Sequence, residues 1–311
     1  MRILLCTDGS PHGQAALRYG ALLARASQEP ATLLGVVEQK AERRRIEGAL
    51  QEGEQWLAGA PPPRTVVRRG HAAEQILAEA GAGGYELVVV GARGRRGITH
   101  FLLGSTSERV ARHAQQSVLI VQGKQERLAR VLVCTAGGEP GLSVVEVGGR
   151  VAWLAGAEVT VLHVMSQLSA TPVLPEARPL QVMPQTPAPP EASRLHLEDL
   201  EARAEELMAH ETPEGRHLRE ALAILVGMEV PAHAQVRHGL VVDEIEAEAN
   251  DASHDLLVIG SHATAGWMRF LLDDVVHQLL GCVDRPVLVA RSGQLEKVSL
   301  QALVGLDSPQ E

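Results

Sequence analysis

The sequence predicts an α/β protein built from two tandem doubly wound domains, each a five-stranded parallel sheet flanked by helices. Apolar strand-like segments alternate with segments of helical spacing, which is the pattern of a parallel sheet covered by helices. The pattern also occurs twice, because residues 2–37 match residues 130–165 at an offset of 128, and residues 69–121 match residues 238–290 at an offset of 169. The two offsets differ by 41 residues, so the second copy carries an insertion of that size between its second and third strands.

The first copy opens with a short apolar strand, Ile3–Cys6, that ends in the turn residues Thr7-Asp8-Gly9-Ser10. Apolar residues then recur at helical spacing from about Pro11 to Ser27. The same alternation continues to the end of the copy. It predicts strands at Ala31–Val37, Arg64–Arg68, Leu87–Val90 and Ser117–Val121. It predicts helices at Arg43–Leu57, after Gly70 through Ala80 and at about Ser105–Ala114.

The repeat also predicts the limits of the domains. We expect the first domain at residues 1–124, the second at residues 129–293 and a C-terminal tail at residues 294–311. Residues 166–193 hold seven of the seventeen prolines of the chain, which predicts an exposed excursion within the insertion. A charged helix is expected to follow at Glu198–Ala209.

Composition argues against several classes of function. A formal charge of −9 does not supply the basic field that general nucleic-acid binding needs. The chain has no 18-residue apolar run and no signal-peptide pattern, so no membrane contact is expected. Three cysteines in 311 residues do not form a disulfide framework, and Cys6 and Cys134 occupy equivalent strand ends where small buried residues are expected. These features favour a cytoplasmic protein.

The loop after the fourth strand of the first copy has the pattern Gly-x2-Gly-x9-Gly-Ser, and we call residues 91–107 the phosphate loop. Glycines allow close backbone approach at the end of a strand, and a helix start offers free N–H groups and a dipole that attract anions. Either half of the pattern alone would be an ordinary turn or helix cap, but together they predict a phosphate site. Its glycines, hydroxyls and cations are Gly91, Gly94, Gly104, Ser105, Thr106, Ser107, Arg93, Arg95 and Arg96.

These residues resemble the universal stress protein family, and more specifically its tandem-domain members. The resemblance covers nearly the whole chain: the turn Thr7-Asp8-Gly9-Ser10, the second strand Leu33-Leu34-Gly35-Val36-Val37, the Gly70 turn and the phosphate loop. It implies an intrachain pseudo-dimer in which the terminal strands of the two copies, Ser117–Val121 and Pro286–Ala290, pair with each other. It leaves open a further homodimer of whole chains in addition to this pairing.

In the ATP-binding branch of this family, the loop holds the ribose and phosphates, and residues of the first two strands hold the adenine. The resemblance therefore implies that Thr7 and Asp8 lie near the base and that Val36 packs on it. It implies ribose and phosphate contacts from Gly91, Arg93, Gly94, Gly104, Ser105, Thr106 and Ser107. Mg²⁺ would enter with ATP, without a metal site of the protein's own. Asp8 can accept a hydrogen bond from an adenine amino group or a ribose hydroxyl, and the simpler alternative is that it caps the following helix.

The second copy keeps packing residues and loses the ligand residues. Ala136 replaces Asp8, Ala263 replaces Gly94, and Asp273-Asp274 replace Gly104-Ser105. We expect the two aspartates at the start of a helix, where each complements the dipole by about 0.3–1 kcal/mol and repels a triphosphate. The sequence therefore predicts no ATP in this copy, and a metal site formed by these aspartates with His262 or His277 is the less favoured alternative.

The leading functional hypothesis is an ATP-binding regulatory stress-response protein that binds nucleotide only in its first domain. The second domain would be structural or would bind a protein partner that the sequence does not identify. One alternative is a slow ATPase or self-phosphorylating protein, although the phosphate loop shows no general base, no catalytic motif and no Walker pattern. A second alternative is a nucleotide-free interaction module. The Pro-rich excursion is either a partner-binding segment or a tolerated surface insertion.

Overall fold

The structure is a computed structural model, and it describes residues 1–92, 103–123, 126–165, 197–251, 254–260 and 268–291. The first half follows the predicted alternation closely. Its elements are β1 (Ile3–Thr7), α1 (Pro11–Ala26), β2 (Thr32–Val37), α2 (Arg43–Trp56), β3 (Arg64–Arg69), α3 (Ala72–Gly83), β4 (Leu87–Gly91), α4 (Ser105–His113) and β5 (Ser117–Val121).

The second half repeats this order with one additional helix. Its elements are β6 (Arg130–Thr135), α5 (Gly138–Ala155), β7 (Glu158–Met165), α6 (Leu197–Ala209), α7 (Pro213–Gly227), β8 (Ala232–His238), α8 (Val241–Asp251), β9 (Leu256–Gly260), α9 (Met268–Cys282) and β10 (Val287–Ala290). The additional helix is α6, and it confirms the charged helix expected at Glu198–Ala209. The Pro-rich excursion at 166–193 and the tail at 294–311 lie outside the described residues.

One expectation about α9 is wrong. We expected Asp273 and Asp274 to start this helix, as Gly104 and Ser105 start α4, but α9 begins five residues earlier at Met268. Gly104 has extended backbone angles (φ −66°, ψ 141°) and serves as the N-cap of α4. Glycine is a poor helix former, and with aspartate in its place the apolar residues before it continue the helix. The aspartates therefore lie within α9, and they do not cap it.

Within the described residues, the ten strands form one sheet in the order β3-β2-β1-β4-β5-β10-β9-β6-β7-β8. All strands within each half run parallel, and β5 pairs with β10 antiparallel, with Leu119 opposite Leu288. Leu119 and Leu288 occupy equivalent positions of the repeat. The pairing of the two terminal strands thus joins the halves as an intrachain pseudo-dimer, and the predicted fold class is confirmed.

Two apolar layers enclose this sheet. The helices α1, α2, α5, α6 and α7 pack on one face through residues such as Leu17, Ile46 and Leu218. The helices α3, α4, α8 and α9 pack on the other face through residues such as Val110 and Leu279. Because both faces are covered, strands such as β4 and β5 consist of buried apolar residues without polar alternation.

An ion pair with a buried glutamate recurs between the third strand and the third helix of each half. Glu79 accepts a 2.9 Å hydrogen bond from Arg68 Nε, and Glu248, its equivalent in the repeat, accepts a 2.9 Å hydrogen bond from Arg237 Nε. Burial alone would raise the pKa of both carboxyls. Hydrogen bonds outweigh that effect and hold both pKa values below the ordinary range, from Arg68 on Glu79 and from His254 and Arg237 on Glu248.

Candidate functional site

The candidate site lies at the carboxyl ends of β1 and β4. In the first half the strand order is β3-β2-β1-β4-β5, so the chain reverses its direction of growth between β1 and β4. Leu5 pairs with Val89, and the same register places Thr7 beside Gly91. Open parallel sheets bind ligands at such a switch point, because the loops that follow the two strands diverge to opposite faces and leave a crevice.

The turn after β1 holds the side chains of Thr7 and Asp8 in fixed positions. Thr7 is buried, and its Oγ1 accepts a 3.0 Å hydrogen bond from the amide of Gly9. Asp8 Oδ1 accepts a 2.9 Å hydrogen bond from the amide of Ser10. Ser10 is the N-cap of α1, since its Oγ accepts from the amide of Gly13 at 3.1 Å. The alternative in which Asp8 caps α1 is therefore wrong. Only Oδ1 of Asp8 takes part in the turn, so the second carboxylate oxygen of Asp8 is not needed for it.

Gly13 is a site residue that the sequence analysis did not find. A methyl group at this position would lie 2.7 Å from both Asp8 Oδ1 and Thr7 Oγ1, which is closer than van der Waals contact allows. The first turn of α1 can therefore approach the two side chains only because residue 13 is glycine. The available signal was a glycine inside a predicted helix, where alanine is favoured by about 1 kcal/mol.

Arg45 of α2 is a second residue that the sequence analysis missed. Its Nη2 donates a 2.9 Å hydrogen bond to the carbonyl oxygen of Asp8. The side chain crosses Gly9, whose φ of 71° is a left-handed conformation that glycine adopts without strain. Arg45 thus fixes the backbone of the turn from the side of α2 and adds a cation beside Asp8.

The phosphate loop starts at Gly91, which packs against the first turn of α1. A methyl group there would lie 2.6 Å from the carbonyl oxygen of His12, so no side chain is tolerated. The amide of Gly104 donates to the carbonyl of Ala92 at 2.8 Å and closes the two ends of the loop. Arg93 and Gly94 lie outside the described residues, but both belong to the segment that this hydrogen bond closes.

The hydroxyls at the start of α4 are not equivalent. Ser105 is exposed and Thr106 is half-buried, whereas Ser107 is buried and donates its hydroxyl proton to the carbonyl of Gly91 at 2.5 Å. The N-cap Gly104 has no side chain, and no side-chain cap bonds the first turn of α4 in this part of the structure. The amides of that turn, with two accessible hydroxyls, can therefore receive an anion.

Val36 lies on β2, one residue beyond Gly35, the β2 partner of Thr7. It is 4% exposed and packs in the apolar layer that contains α3 and α4. Val36 therefore borders the same edge of the sheet as the Thr7-Asp8 turn, on the side of the sheet where α4 begins.

The equivalent edge of the second half has different chemistry. Thr135, the equivalent of Thr7, forms a 2.7 Å hydrogen bond through Oγ1 with His217 Nε2 of α7. His163, which replaces Gly35, bonds the carbonyl of Thr135 through Nδ1 at 3.0 Å. The His217 ring lies beside Gly141, as the Asp8 carboxylate lies beside its equivalent Gly13. An imidazole therefore stands where the first half presents a carboxylate. Burial and the neighbouring His163 lower the pKa of His217.

Other sites in the described parts of the chain are less informative. All three cysteines are free. Burial raises the pKa of both Cys6 and Cys134, so neither is an activated thiol, in agreement with the packing role expected for them. Across the described ranges, there is no cluster of three or more side chains suited to hold a metal ion. Nor does any described helix combine the length and apolar character needed to cross a membrane.

The sequence profile of the universal stress protein family matches residues 1–122 and again residues 128–291. The chain belongs to the universal stress protein family. This universal stress protein is similar to another from Archaeoglobus fulgidus DSM 4304, with 18% identity, a TM-score of 0.63 and coverage of 94% of this chain and 98% of that chain. It is also similar to a functionally unknown protein from Pseudomonas aeruginosa PAO1, with 15% identity, a TM-score of 0.63 and coverage of 93% and 92%. These likenesses concern the fold, and no curated protein matches the chain.

Proposed function

We propose that this universal stress protein is a regulatory protein that binds ATP in its first half and does not turn it over. The observation that carries the proposal is the meeting of two features at the switch point between β1 and β4. One is the Asp8 carboxylate, held in a turn with one oxygen unused by that turn. The other is the amino end of α4, which has no side-chain cap and two accessible hydroxyls.

Each feature suits one end of the nucleotide. Asp8 would accept from the adenine amino group or a ribose hydroxyl, beside Thr7 and with Val36 against the base. The phosphates would lie on the amides of α4 and the hydroxyls of Ser105 and Thr106. Ser107 would support the loop through its bond to Gly91, since its proton is already engaged. Gly91, Arg93, Gly94 and Gly104 would complete the ribose and phosphate contacts, and Mg²⁺ would arrive with the triphosphate.

The second half would carry no nucleotide. Ala136 offers no acceptor where Asp8 stands, and His217 occupies the space beside Gly141. The second half would instead be structural or would hold a protein partner. The output of ATP binding would then be a changed surface around the phosphate loop, in keeping with a cytoplasmic regulator.

The test is calorimetric titration of the full chain with Mg-ATP, with the same sample checked for released ADP. We expect one site per chain and no multiple turnovers. Two sites would contradict the assignment of the second half. Sustained ADP release would favour the slow-ATPase alternative, and a folded protein that binds no nucleotide would favour the interaction-module alternative.

A further inference from the structure

The second half contacts the phosphate-loop helix of the first half at the end remote from the phosphates. Arg291 directly follows β10, and its amide donates to Ser117 Oγ at 3.2 Å. Its Nη2 donates to the carbonyl oxygens of Ala111 and Arg112, the latter at 3.1 Å. Both carbonyls belong to the last turn of α4, where a helix leaves its acceptors without helical partners.

The first half makes the corresponding contact with the second. Gln122 directly follows β5, and its Nε2 donates to the carbonyl oxygens of Leu280 at 3.5 Å and Val283 at 2.9 Å, at the end of α9. Gln122 and Arg291 are equivalent in the repeat, and so are Ala111 and Leu280. The two contacts are therefore related by the pseudo-symmetry of the molecule, and each half holds the last helix of the other.

The two contacts differ in charge. The helix that carries the proposed phosphate site receives an arginine, while the helix of the altered second half receives a neutral glutamine. A cation at the carboxyl end of a helix complements its dipole, and a guanidinium can bond several carbonyls at once from a fixed plane. The stronger of the two contacts therefore acts on α4.

α4 has only nine residues, about 13.5 Å of helix, so its direction depends on the packing of Val110 in the apolar layer and on the contacts at its two ends. At the amino end, Gly104 bonds Ala92 and Ser107 bonds Gly91, all within the first half. At the carboxyl end, Arg291 supplies the contact from the second half. A change at Arg291 would therefore tilt or loosen α4 and displace the amides that face the phosphates.

We propose that Arg291 is a positioning residue for the nucleotide site, through which the second half sets the placement of α4. The choice of ATP as the ligand rests on the proposed function, whereas the contact of Arg291 with the end of α4 is part of the observed fold. The second half thereby contributes to ATP affinity without touching the nucleotide, which gives a partner bound there a route to the site.

The experiment compares R291Q, which gives α4 the residue that α9 receives, with Q122A as the matched control at the opposite contact. Calorimetry measures Kd for Mg-ATP and for adenosine, which lacks phosphates. We expect R291Q to weaken Mg-ATP binding about three- to tenfold and to leave adenosine unchanged. R291K should recover part of that loss, and Q122A should change neither ligand. Equal weakening of both ligands by R291Q, or no change in either, would overturn the proposal.

Hydrogen exchange of the free protein provides a second measurement that does not depend on a ligand. R291Q should accelerate exchange in residues 105–114 relative to residues 11–26, and Q122A should not. If the wild-type protein binds neither ATP nor adenosine, the proposed function fails, and exchange alone then decides the role of Arg291. Unchanged protection of residues 105–114 in R291Q would overturn the positioning role of Arg291. A loss of protection confined to these residues would support that role.

Discussion

The candidate site has its observed geometry only because Gly13 has no side chain. A methyl group at this position would lie 2.7 Å from Asp8 Oδ1 and from Thr7 Oγ1, so G13A must displace one of these side chains or the start of α1. We expect G13A to weaken adenosine and Mg-ATP binding alike, by about tenfold, because the change affects the base end of the site. Calorimetric titration of both ligands measures this effect.

G48A is the matched control for G13A. A methyl group at Gly48 in α2 would meet no atom within 4 Å, so alanine can supply its better helix propensity without a clash. We expect G48A to raise the free energy of unfolding by about 0.5–1 kcal/mol and to leave nucleotide affinity unchanged. Normal affinity in G13A would show that the contact between α1 and Asp8 does not matter for binding.

His217 predicts a pH dependence of stability in the second half. Burial and the neighbouring His163 lower the pKa of His217 in the folded protein, and Glu220 opposes them. Between that pKa and the unfolded value of about 6.5, the unfolded chain binds more protons, so stability falls as the pH falls through this range. Urea unfolding at pH 7.5 and 5.5 should show a smaller loss in H217N than in the wild type. Equal losses would contradict the prediction.

The motif residues could be predicted from the sequence, and the residues that position them could not. Asp8 follows directly after a strand and Gly104 belongs to a spaced glycine pattern, so their neighbours along the chain identify them. Arg45 and His217 reach the strand ends from α2 and α7, at a distance along the sequence that only helix packing determines. Helix spacing predicts which face is buried, but it does not predict which polar side chain lies at the sheet edge.

The start of α4 is the element that the proposed function most depends on. G104D combined with S105D should abolish Mg-ATP binding, because two carboxylates would face the phosphates across an uncapped helix start. The variant should remain folded, since Gly104 has a backbone conformation that other residues adopt and the second half carries aspartates at both equivalent positions. Calorimetry with G104A/S105A as the uncharged control measures the effect. Unchanged affinity in the folded aspartate variant would contradict the assignment of the phosphate loop.

The limits of the elements were predictable where packing alone sets them. The strands and helices of the first half match the predicted bounds to within three residues at each end. The start of α9 was not predictable, because the repeat implied the same N-cap at positions where the second half has lost the glycine. Equivalent positions of the two halves thus form equivalent buried elements, such as the paired strands β5 and β10. They do not form equivalent helix starts where the start depends on a single residue.

At the scale of the whole molecule, the antiparallel pair of β5 and β10 joins the halves into one sheet. The side chains of Val118, Leu119 and Ile120 are fully buried in β5, so removal of the second half would expose an apolar edge strand. We expect a fragment of residues 1–123 to form a homodimer with Leu119 opposite its own copy. Sedimentation velocity should show the dimer, and addition of residues 126–291 should replace it with a heterodimer. A fragment that stays monomeric at micromolar concentration would contradict this prediction.

The antiparallel pairing of β5 with β10 also gives the molecule two chemically distinct ends. Because the strands of the two halves run in opposite directions, their carboxyl ends lie at opposite edges of the sheet. The edge with Asp8 and the start of α4 therefore faces away from the edge with His163 and His217. Two different proteins can dock at these edges without competing for space. A tandem chain of this kind therefore presents surfaces of different chemistry at its two ends, which a symmetric pair of identical domains does not do.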